Sequence, residues 1–174
     1  IMNSNLQSKS RKLSYLLRHN PEELSMDKNG YVLVLDILSK LDISLENLET
    51  IVEENDKKRF SFNKNRDSLR ASQGHSVTVD LGLKSQVPPV VLYHGTVDSA
   101  LKGIFKDGLK KVKRHAVHLS HETLTATKVG SRRGDAIILE IDSKRMYADG
   151  IKFFKSENGV WLVDEVPSKY IKKL

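Results

Sequence analysis

Arg59-Phe60-Ser61-Phe62-Asn63 and Ser68-Leu69-Arg70-Ala71 are two short runs that flank the polar segment Lys64-Asn65-Arg66-Asp67. Two runs of strand-forming residues joined by a short polar loop predict a β-hairpin. Lys64 and Arg66 lie at its tip and are candidate contacts for the phosphates of a nucleic acid. A solvated, merely charged hairpin is the alternative.

Helices are expected before this hairpin. The leucines of residues 8–19 recur at helical spacing, and this helix is expected to stop at Asn20-Pro21. Two further helices follow, and the last of them is entered through Ser44 as its N-cap. Their apolar positions are Val34, Leu35, Leu38, Leu41, Leu45, Leu48, Ile51 and Val52. Helices followed by a basic hairpin are typical of a winged helix, which we predict for residues 1–84.

A break is expected near residues 84–89, because Pro88-Pro89 cannot continue a central strand. Residues 85–174 then form a second lobe, in which short apolar runs predict strands and helical spacing predicts helices. Strands are expected at residues 90–93, 116–120, 136–141, 151–154 and 160–163, and helices at 97–105 and 123–129. The fold class is therefore α+β.

The hairpin leads into a dense polar cluster, Arg70-Ala71-Ser72-Gln73-Gly74-His75-Ser76. A guanidinium offers a planar fork of donors to phosphate, and a glycine lets the backbone approach a ligand closely. We therefore predict an anion site. Its substrate contacts are Gln73, Gly74, His75 and Ser76. Arg18-His19 forms a smaller cluster of the same kind, although Arg18 could also serve only as a cation at the end of its helix.

Composition narrows the function classes. The 174 residues carry a formal net charge of +7 and an isoelectric point of about 9.5, which is compatible with a polyanionic partner and equally with a solvated, merely basic surface. The absence of cysteine excludes disulfides, thiol nucleophiles and thiolate zinc sites. No run of about 18 apolar residues and no secretory leader is present, so we expect a soluble cytoplasmic protein that binds no membrane.

The sequence contains neither of two common nucleotide-binding motifs, and it has one possible metal-binding pattern. Neither G-x-G-x-x-G nor G-x-x-x-x-G-K-[ST] occurs, so a nucleotide would need another kind of pocket. His115, His118 and His121 are evenly spaced, as zinc ligands can be. Their segment alternates like a strand, however, so residues three apart face opposite sides. We therefore predict no metal.

Several short motifs, here called phrases, occur in a characteristic order along the chain. They are Leu17-Arg18-His19-Asn20-Pro21, Gly30-Tyr31-Val32, Asn55-Asp56-Lys57-Lys58-Arg59-Phe60, Arg70 to Ser76, Tyr93-His94-Gly95-Thr96, His115-Ala116-Val117-His118-Leu119-Ser120, Val129-Gly130-Ser131-Arg132-Arg133-Gly134 and Asn158-Gly159-Val160-Trp161-Leu162. Together they resemble the NAD-dependent RNA 2'-phosphotransferase family, over about residues 10–170. No single phrase is specific, whereas their joint order would rarely arise by chance.

The resemblance implies an ADP-ribosyltransferase-like fold for residues 85–174, with NAD bound across a small split sheet and consumed as a co-substrate. The residues on the adenosine side would be His94, Gly95 and Thr96. Those on the side of the nicotinamide ribose would be His118, Leu119 and Ser120.

The resemblance also implies the reaction. An internal RNA 2'-phosphate displaces nicotinamide to give an RNA-phospho-ADP-ribose intermediate, and the neighbouring ribose hydroxyl then attacks phosphorus. RNA with a 2'-OH leaves, together with ADP-ribose 1'',2''-cyclic phosphate. The implied catalytic tetrad is Arg18, His19, Arg70 and Arg132. Arg133 competes for the fourth place, but the family pattern Val-Gly-x-Arg favours Arg132.

The implied partner is a tRNA-like RNA with an internal 2'-phosphate, handled by a monomer in tRNA splicing or RNA repair. Two alternatives stay open. One is an ADP-ribosyltransferase that modifies terminal phosphates of RNA or DNA in the same pocket. The other is a winged-helix nucleic-acid-binding module without catalysis, for which a missing tetrad residue would be expected; all four are present.

Overall fold

A computed structural model of the chain describes residues 2–22 and 24–174, and only the backbone at Arg133. It divides into two units, one ending at Gly82 and the other spanning Leu83–Leu174. Each unit has its own apolar core, and each combines helices with antiparallel strands, so the predicted α+β class is confirmed. Among the described residues, no helix has the length and apolar character needed to cross a membrane.

Helix ends in the first unit follow local capping. α1 (Ser4–Arg18) begins four residues before the predicted start, because the Asn3 side chain accepts a hydrogen bond from a backbone N–H of the first turn at 2.9 Å. α2 (Val34–Leu41) lies where the leucine and valine spacing predicts it. α3 (Leu45–Glu54) is capped by the Ser44 side chain, as predicted.

The predicted hairpin is present. β2 (Phe60–Phe62) and β3 (Ser68–Ala71) pair antiparallel, with Ser61 opposite Arg70. The short strand β1 (Val32–Leu33), which the sequence analysis missed, pairs with the other edge of β3. A strand of only two residues is too short to show the alternation of apolar and polar residues by which a strand is recognised in a sequence. The sheet and α1 to α3 share one core, so the end of α1 and the end of β3 are both anchored to it.

The second unit, as far as it is described, builds two antiparallel sheets. Its elements are β4 (Leu92–Thr96), α4 (Asp98–Asp107), β5 (Val117–Leu119), α5 (Thr123–Gly130), β6 (Ile137–Ile141), α6 (Ser143–Ala148), β7 (Phe154–Lys155), β8 (Trp161–Val163) and β9 (Ile171–Lys173). One sheet has the order β4-β6-β9 and the other β5-β8-β7. Tyr93 and Ser120 exchange backbone hydrogen bonds of 2.8 and 2.9 Å, which join the first strands of the two sheets.

Some predictions in the second unit are wrong in their bounds. The first strand was expected at residues 90–93, but Val90 is 64% exposed and β4 extends through His94 to Thr96. The strand expected at residues 151–154 begins only at Phe154. α6 and β9 were not predicted. β4 pairs with β6 residue by residue, so a partner distant in sequence, rather than the local apolar run, sets where β4 begins and ends.

Glycines let α5 pack directly on β4. A Cβ built on Gly95 would lie 1.7 Å from the carbonyl oxygen of Ala126, and one on Gly130 would lie 3.0 Å from the Thr96 nitrogen. Any larger residue at Gly95 would collide with the backbone of α5. α5 is therefore held against the segment of β4 that contains the predicted NAD-binding residues.

Candidate active site

The end of α1 positions the first two members of the predicted tetrad. The Arg18 carbonyl accepts hydrogen bonds from the backbone N–H groups of Ser76 at 2.8 Å and Val77 at 3.3 Å. His19 Nδ1 lies 2.9 Å from the Ser76 hydroxyl. The loop after β3 is thus bonded to the C-terminal end of α1, and Arg18, His19 and Ser76, all predicted site residues, are brought together.

Arg70 is held by contacts that the sequence analysis missed. Its side chain is only 7% exposed, and its Nη1 donates to the carbonyls of Asn29 at 3.2 Å and Leu81 at 3.4 Å. Its guanidinium carbon lies 4.6 Å from the centre of the Tyr31 ring, a distance at which a cation and an aromatic face attract. These contacts fix the orientation of the guanidinium before any substrate arrives.

The loop between these two arginines is built around glycines. Gly74 has a φ of +89° and lies against Arg18, since a Cβ there would be 3.3 Å from Nε. Gly30, with a φ of +86°, lies against His75, whose Nε2 would be 3.4 Å from a Cβ at Gly30. His75 is 3% exposed. Its imidazole therefore packs the loop onto the turn before β1, whereas Ser76 is exposed.

Gln73 has a feature typical of ligand sites. Its Oε1 is buried, and within residues 2–22 and 24–174 it accepts no hydrogen bond. Buried polar atoms without a partner are rare in folded proteins, and they call for a functional or structural explanation. An acceptor at this point suits a ribose hydroxyl or amine donor of a ligand.

The tip of the hairpin, which we call the wing, contains two further predicted substrate contacts. Lys64 and Arg66 are exposed at the hairpin turn, and the Arg66 guanidinium carbon lies 4.2 Å from the centre of the Phe62 ring. The turn itself is fixed by Asn63, whose side chain donates to Asp67 Oδ1 at 2.6 Å. Contact between the wing and phosphates stays a prediction.

The two predicted NAD-binding segments are bonded to each other in the second unit. His94 Nδ1 lies 3.1 Å from the His118 carbonyl oxygen. A carbonyl can only accept, so Nδ1 of His94 carries the proton, and Nε2 is the acceptor in the neutral ring. His118 Nδ1 is likewise fixed, 3.1 Å from the Ala116 carbonyl oxygen. The hydrogen-bonded pair Tyr93 and Ser120 lies alongside.

The remaining predicted residues of this unit differ in exposure. Thr96 is 9% exposed and Leu119 is 1% exposed and part of the core, so only the backbone of Leu119 is suited to a ligand. Arg132 is exposed in the 3₁₀ turn Ser131–Arg133 that follows α5. The side chain of Arg133 lies outside the described part of the chain, so the competition between the two arginines stays open.

Formal charge is unevenly distributed between the units. Residues 1–82 contain twelve basic residues (Lys and Arg) and twelve acidic residues (Asp and Glu). Residues 83–174 contain 17 basic and ten acidic residues. The whole excess of +7 therefore belongs to the second unit. Any phosphate contact made by the wing depends on its own side chains rather than on an overall positive field.

Comparison with known proteins assigns the chain to a family. Its sequence matches the model of the RNA 2'-phosphotransferase, Tpt1/KptA family over residues 4–165. The chain belongs to this family. The resemblance drawn from the phrases above is thereby confirmed, and membership in a transferase family supports an enzyme over a non-catalytic binding module.

Curated relatives of this family match nearly the whole chain. A probable RNA 2'-phosphotransferase of Flavobacterium johnsoniae is 49% identical over 178 residues, covering 98% of each chain. One of Fusobacterium nucleatum subsp. nucleatum is 49% identical over 170 residues, covering 93% of this chain and 95% of the relative. One of Burkholderia pseudomallei is 48% identical over 170 residues, covering 94% of this chain and 92% of the relative.

Sequence reasoning missed the residues that orient Arg70 in this member of the family. Tyr31 stands in the phrase Gly30-Tyr31-Val32, which carried the resemblance but gave no hint of a cation–π contact. Asn29 acts through its backbone carbonyl, which no side-chain pattern reveals. The signal in the sequence was the residue type of Gly30, since a glycine is suited to a turn that must approach another backbone or side chain closely.

Proposed function

We propose that this chain transfers an internal RNA 2'-phosphate to NAD, giving 2'-OH RNA, nicotinamide and ADP-ribose 1'',2''-cyclic phosphate. The observation that carries this proposal is the orientation of Arg70 in the first unit, beside a loop that is bonded to Arg18 and His19. Arg70 is buried and oriented by two carbonyls and an aromatic face, and Arg18 lies against Gly74 in the loop that His19 also contacts. Guanidiniums fixed in advance cost no reorganisation when phosphate charge develops.

Within this proposal the first unit acts as a winged helix and the second as an ADP-ribosyltransferase-like lobe. The first supplies helices followed by a hairpin, with β1 completing its sheet. The second supplies two small sheets joined at their first strands. Because one fold can serve many functions, the proposed function rests on the side chains of the site.

The donor set of the second unit suits NAD. His94, Gly95 and Thr96 would hold the adenosine side, and His118, Leu119 and Ser120 the nicotinamide ribose. Imidazole and hydroxyl groups can donate to ribose oxygens and accept from ribose hydroxyls, and none of these six residues is a carboxylate that would repel the pyrophosphate. The hydrogen bond from His94 to the His118 carbonyl holds the two halves of this set together.

The first step needs no general base. A phosphate monoester has a second pKa of about 6, so its oxygen is already ionised near neutral pH. It attacks the anomeric carbon of the nicotinamide ribose, forms the C–O bond and displaces neutral nicotinamide. Arg18 and Arg70 orient the phosphate for this attack by holding its other oxygens.

The second step moves a proton as well as phosphorus. The adjacent ribose 2''-hydroxyl attacks phosphorus and loses its proton, while the bond from phosphorus to the RNA 2'-oxygen breaks and that oxygen gains a proton. His19 is the residue suited to proton transfer near neutral pH. Its hydrogen bond with Ser76 fixes the ring. Arg132 is proposed as a third cation for the charge that builds on phosphorus.

A synthetic RNA oligonucleotide with one internal 2'-phosphate tests the proposal. It is incubated with the protein with and without NAD and analysed by mass spectrometry. Loss of one phosphate only with NAD, together with release of nicotinamide, is the expected result. Matched oligonucleotides with a terminal phosphate form the control. ADP-ribose added to their ends, with the internal 2'-phosphate untouched, would replace the proposal by the terminal-phosphate alternative.

A further inference from the structure

An exposed aromatic ring lies one helical turn before the proposed phosphate site. Tyr15 is 54% exposed, although α1 buries Leu13, Leu16 and Leu17 completely or almost completely. Its ring centre is 5.9 Å from that of His19, at an interplanar angle of 51°. One turn corresponds to about 5.4 Å along the axis, so the ring stands roughly one nucleotide away from His19.

The same face of α1 is basic. Arg11 lies four residues before Tyr15, and Arg18 and His19 lie three and four residues after it, which places them on one face of the helix, where His19 is exposed and Arg18 is half-buried. Arg11 is itself exposed. α1 contains no Asp or Glu, and Glu22, which follows it in the chain, is paired with Lys40, a hydrogen bond that lowers the pKa of Glu22. An aromatic ring between cations matches the stacking platforms of proteins that bind single-stranded nucleic acid.

We propose that Tyr15 stacks on an unpaired base of the RNA within one nucleotide of the 2'-phosphate, and that Arg11 contacts a backbone phosphate beside it. The substrate class is therefore RNA whose 2'-phosphate stands in a loop, bulge or end rather than in a continuous duplex. Bases in a duplex are already stacked and cannot lie on a side chain, whereas single-stranded bases can. This inference rests on the proposed function, because the phosphate site sets where the base lies.

Tyr15 could instead act only through His19, by packing against its ring. The two roles predict different kinetics. A base platform contributes binding energy that is the same in ground and transition states, so its loss raises KM and leaves kcat nearly unchanged. A misplaced His19 would lower kcat on every substrate that needs proton transfer.

The experiment pairs Tyr15→Ala with two RNAs of equal length, each with one internal 2'-phosphate. In one RNA the phosphorylated nucleotide and both neighbours carry bases; in the other they are abasic. We expect Tyr15→Ala to raise KM roughly 5- to 100-fold on the first RNA, the range for one lost base–aromatic stack, and to leave KM on the abasic RNA unchanged. Tyr15→Trp should restore KM, because indole stacks at least as well.

Tyr147→Ala is the matched control, since Tyr147 is 40% exposed in α6 and belongs to no proposed site; it should change neither constant. An equal fall in kcat on both RNAs would overturn the inference in favour of His19 positioning, and an unchanged KM would overturn it outright. Fluorescence anisotropy of the two RNAs without NAD measures RNA binding alone, and so tests the stacking by Tyr15 separately from the proposed phosphate transfer. Base-dependent binding that needs Tyr15 would stand even if no transfer occurred, and its absence in an active enzyme would refute the stacking alone.

Discussion

Replacing Gly74 with alanine should slow phosphate transfer by a small and calculable factor. Gly74 lies in the loop between β3 and Ser76, with a φ of +89°. Its Cα faces the side chain of Arg18, so the added methyl group would press on one of the guanidiniums proposed to hold the RNA phosphate. The perturbation is therefore both a backbone strain and a displacement of a substrate contact.

The structure sets the size of each effect. A Cβ at Gly74 would lie 3.3 Å from Arg18 Nε and 3.4 Å from Cζ; ordinary contacts between non-bonded heavy atoms are about 3.5–4.0 Å, so the side chain must move by roughly 0.3 Å. A misplacement of about 1 Å can cost roughly 100-fold in rate, which scales to about fourfold here. We expect kcat/KM to fall about three- to tenfold. Positive φ for alanine adds about 1–2 kcal/mol of destabilisation.

Gly82→Ala separates the two effects. Gly82 also has a positive φ, +67°, but a Cβ there meets no atom within 4 Å. Both variants should therefore melt earlier than the wild type, by about 5–15 °C, whereas only Gly74→Ala should lose activity. The assays are thermal denaturation and steady-state kinetics with 2'-phosphorylated RNA and NAD, at a temperature where all three proteins are folded.

Equal activity of the two variants would refute the reasoning. It would mean that Arg18 either adapts without cost or does not hold the phosphate. A loss far beyond tenfold for Gly74→Ala would also contradict it, since a shift of roughly 0.3 Å cannot remove a whole donor, whose loss costs about 10²–10³.

Three further predictions concern other parts of the chain. Gly95→Ala forces a Cβ to within 1.7 Å of the α5 backbone and should lower the melting temperature through about 1–3 kcal/mol or more of overpacking; Gly103→Ala, on open helix surface, should raise it instead. Arg132→Ala should slow the second step roughly 10²–10³-fold and let ADP-ribosylated RNA accumulate as a slower band on a denaturing gel. Replacing Lys64 and Arg66 with alanine should reduce the slope of log affinity against log salt by about one unit per lost phosphate contact.

Each of these has an outcome that contradicts it. Equal melting temperatures for Gly95→Ala and the wild type would mean that α5 does not pack on β4 as described. Full turnover by Arg132→Ala with a stalled Arg133→Ala would exchange their roles. An unchanged slope of log affinity against log salt would mean that the hairpin is only a solvated, charged surface. The zero formal net charge of the first unit is compatible with that alternative.

Local patterns in the sequence determined the elements whose stabilising contacts are local. α2 follows from apolar spacing, α3 from that spacing and the Ser44 cap, and the hairpin from two runs around a polar loop. The start of α1 was misjudged although its signal was local too, because the Asn3 cap lies outside the apolar repeat. Family resemblance, likewise carried by ordered phrases in the sequence, was recognised without any coordinates.

Only the tertiary structure decided features that depend on partners distant in the chain. The bounds of β4 are fixed by its register with β6, the orientation of Arg70 by the Asn29 carbonyl 41 residues earlier, and the tautomer of His94 by the His118 carbonyl 24 residues later. A sequence shows which side chains exist but not which backbone groups face them.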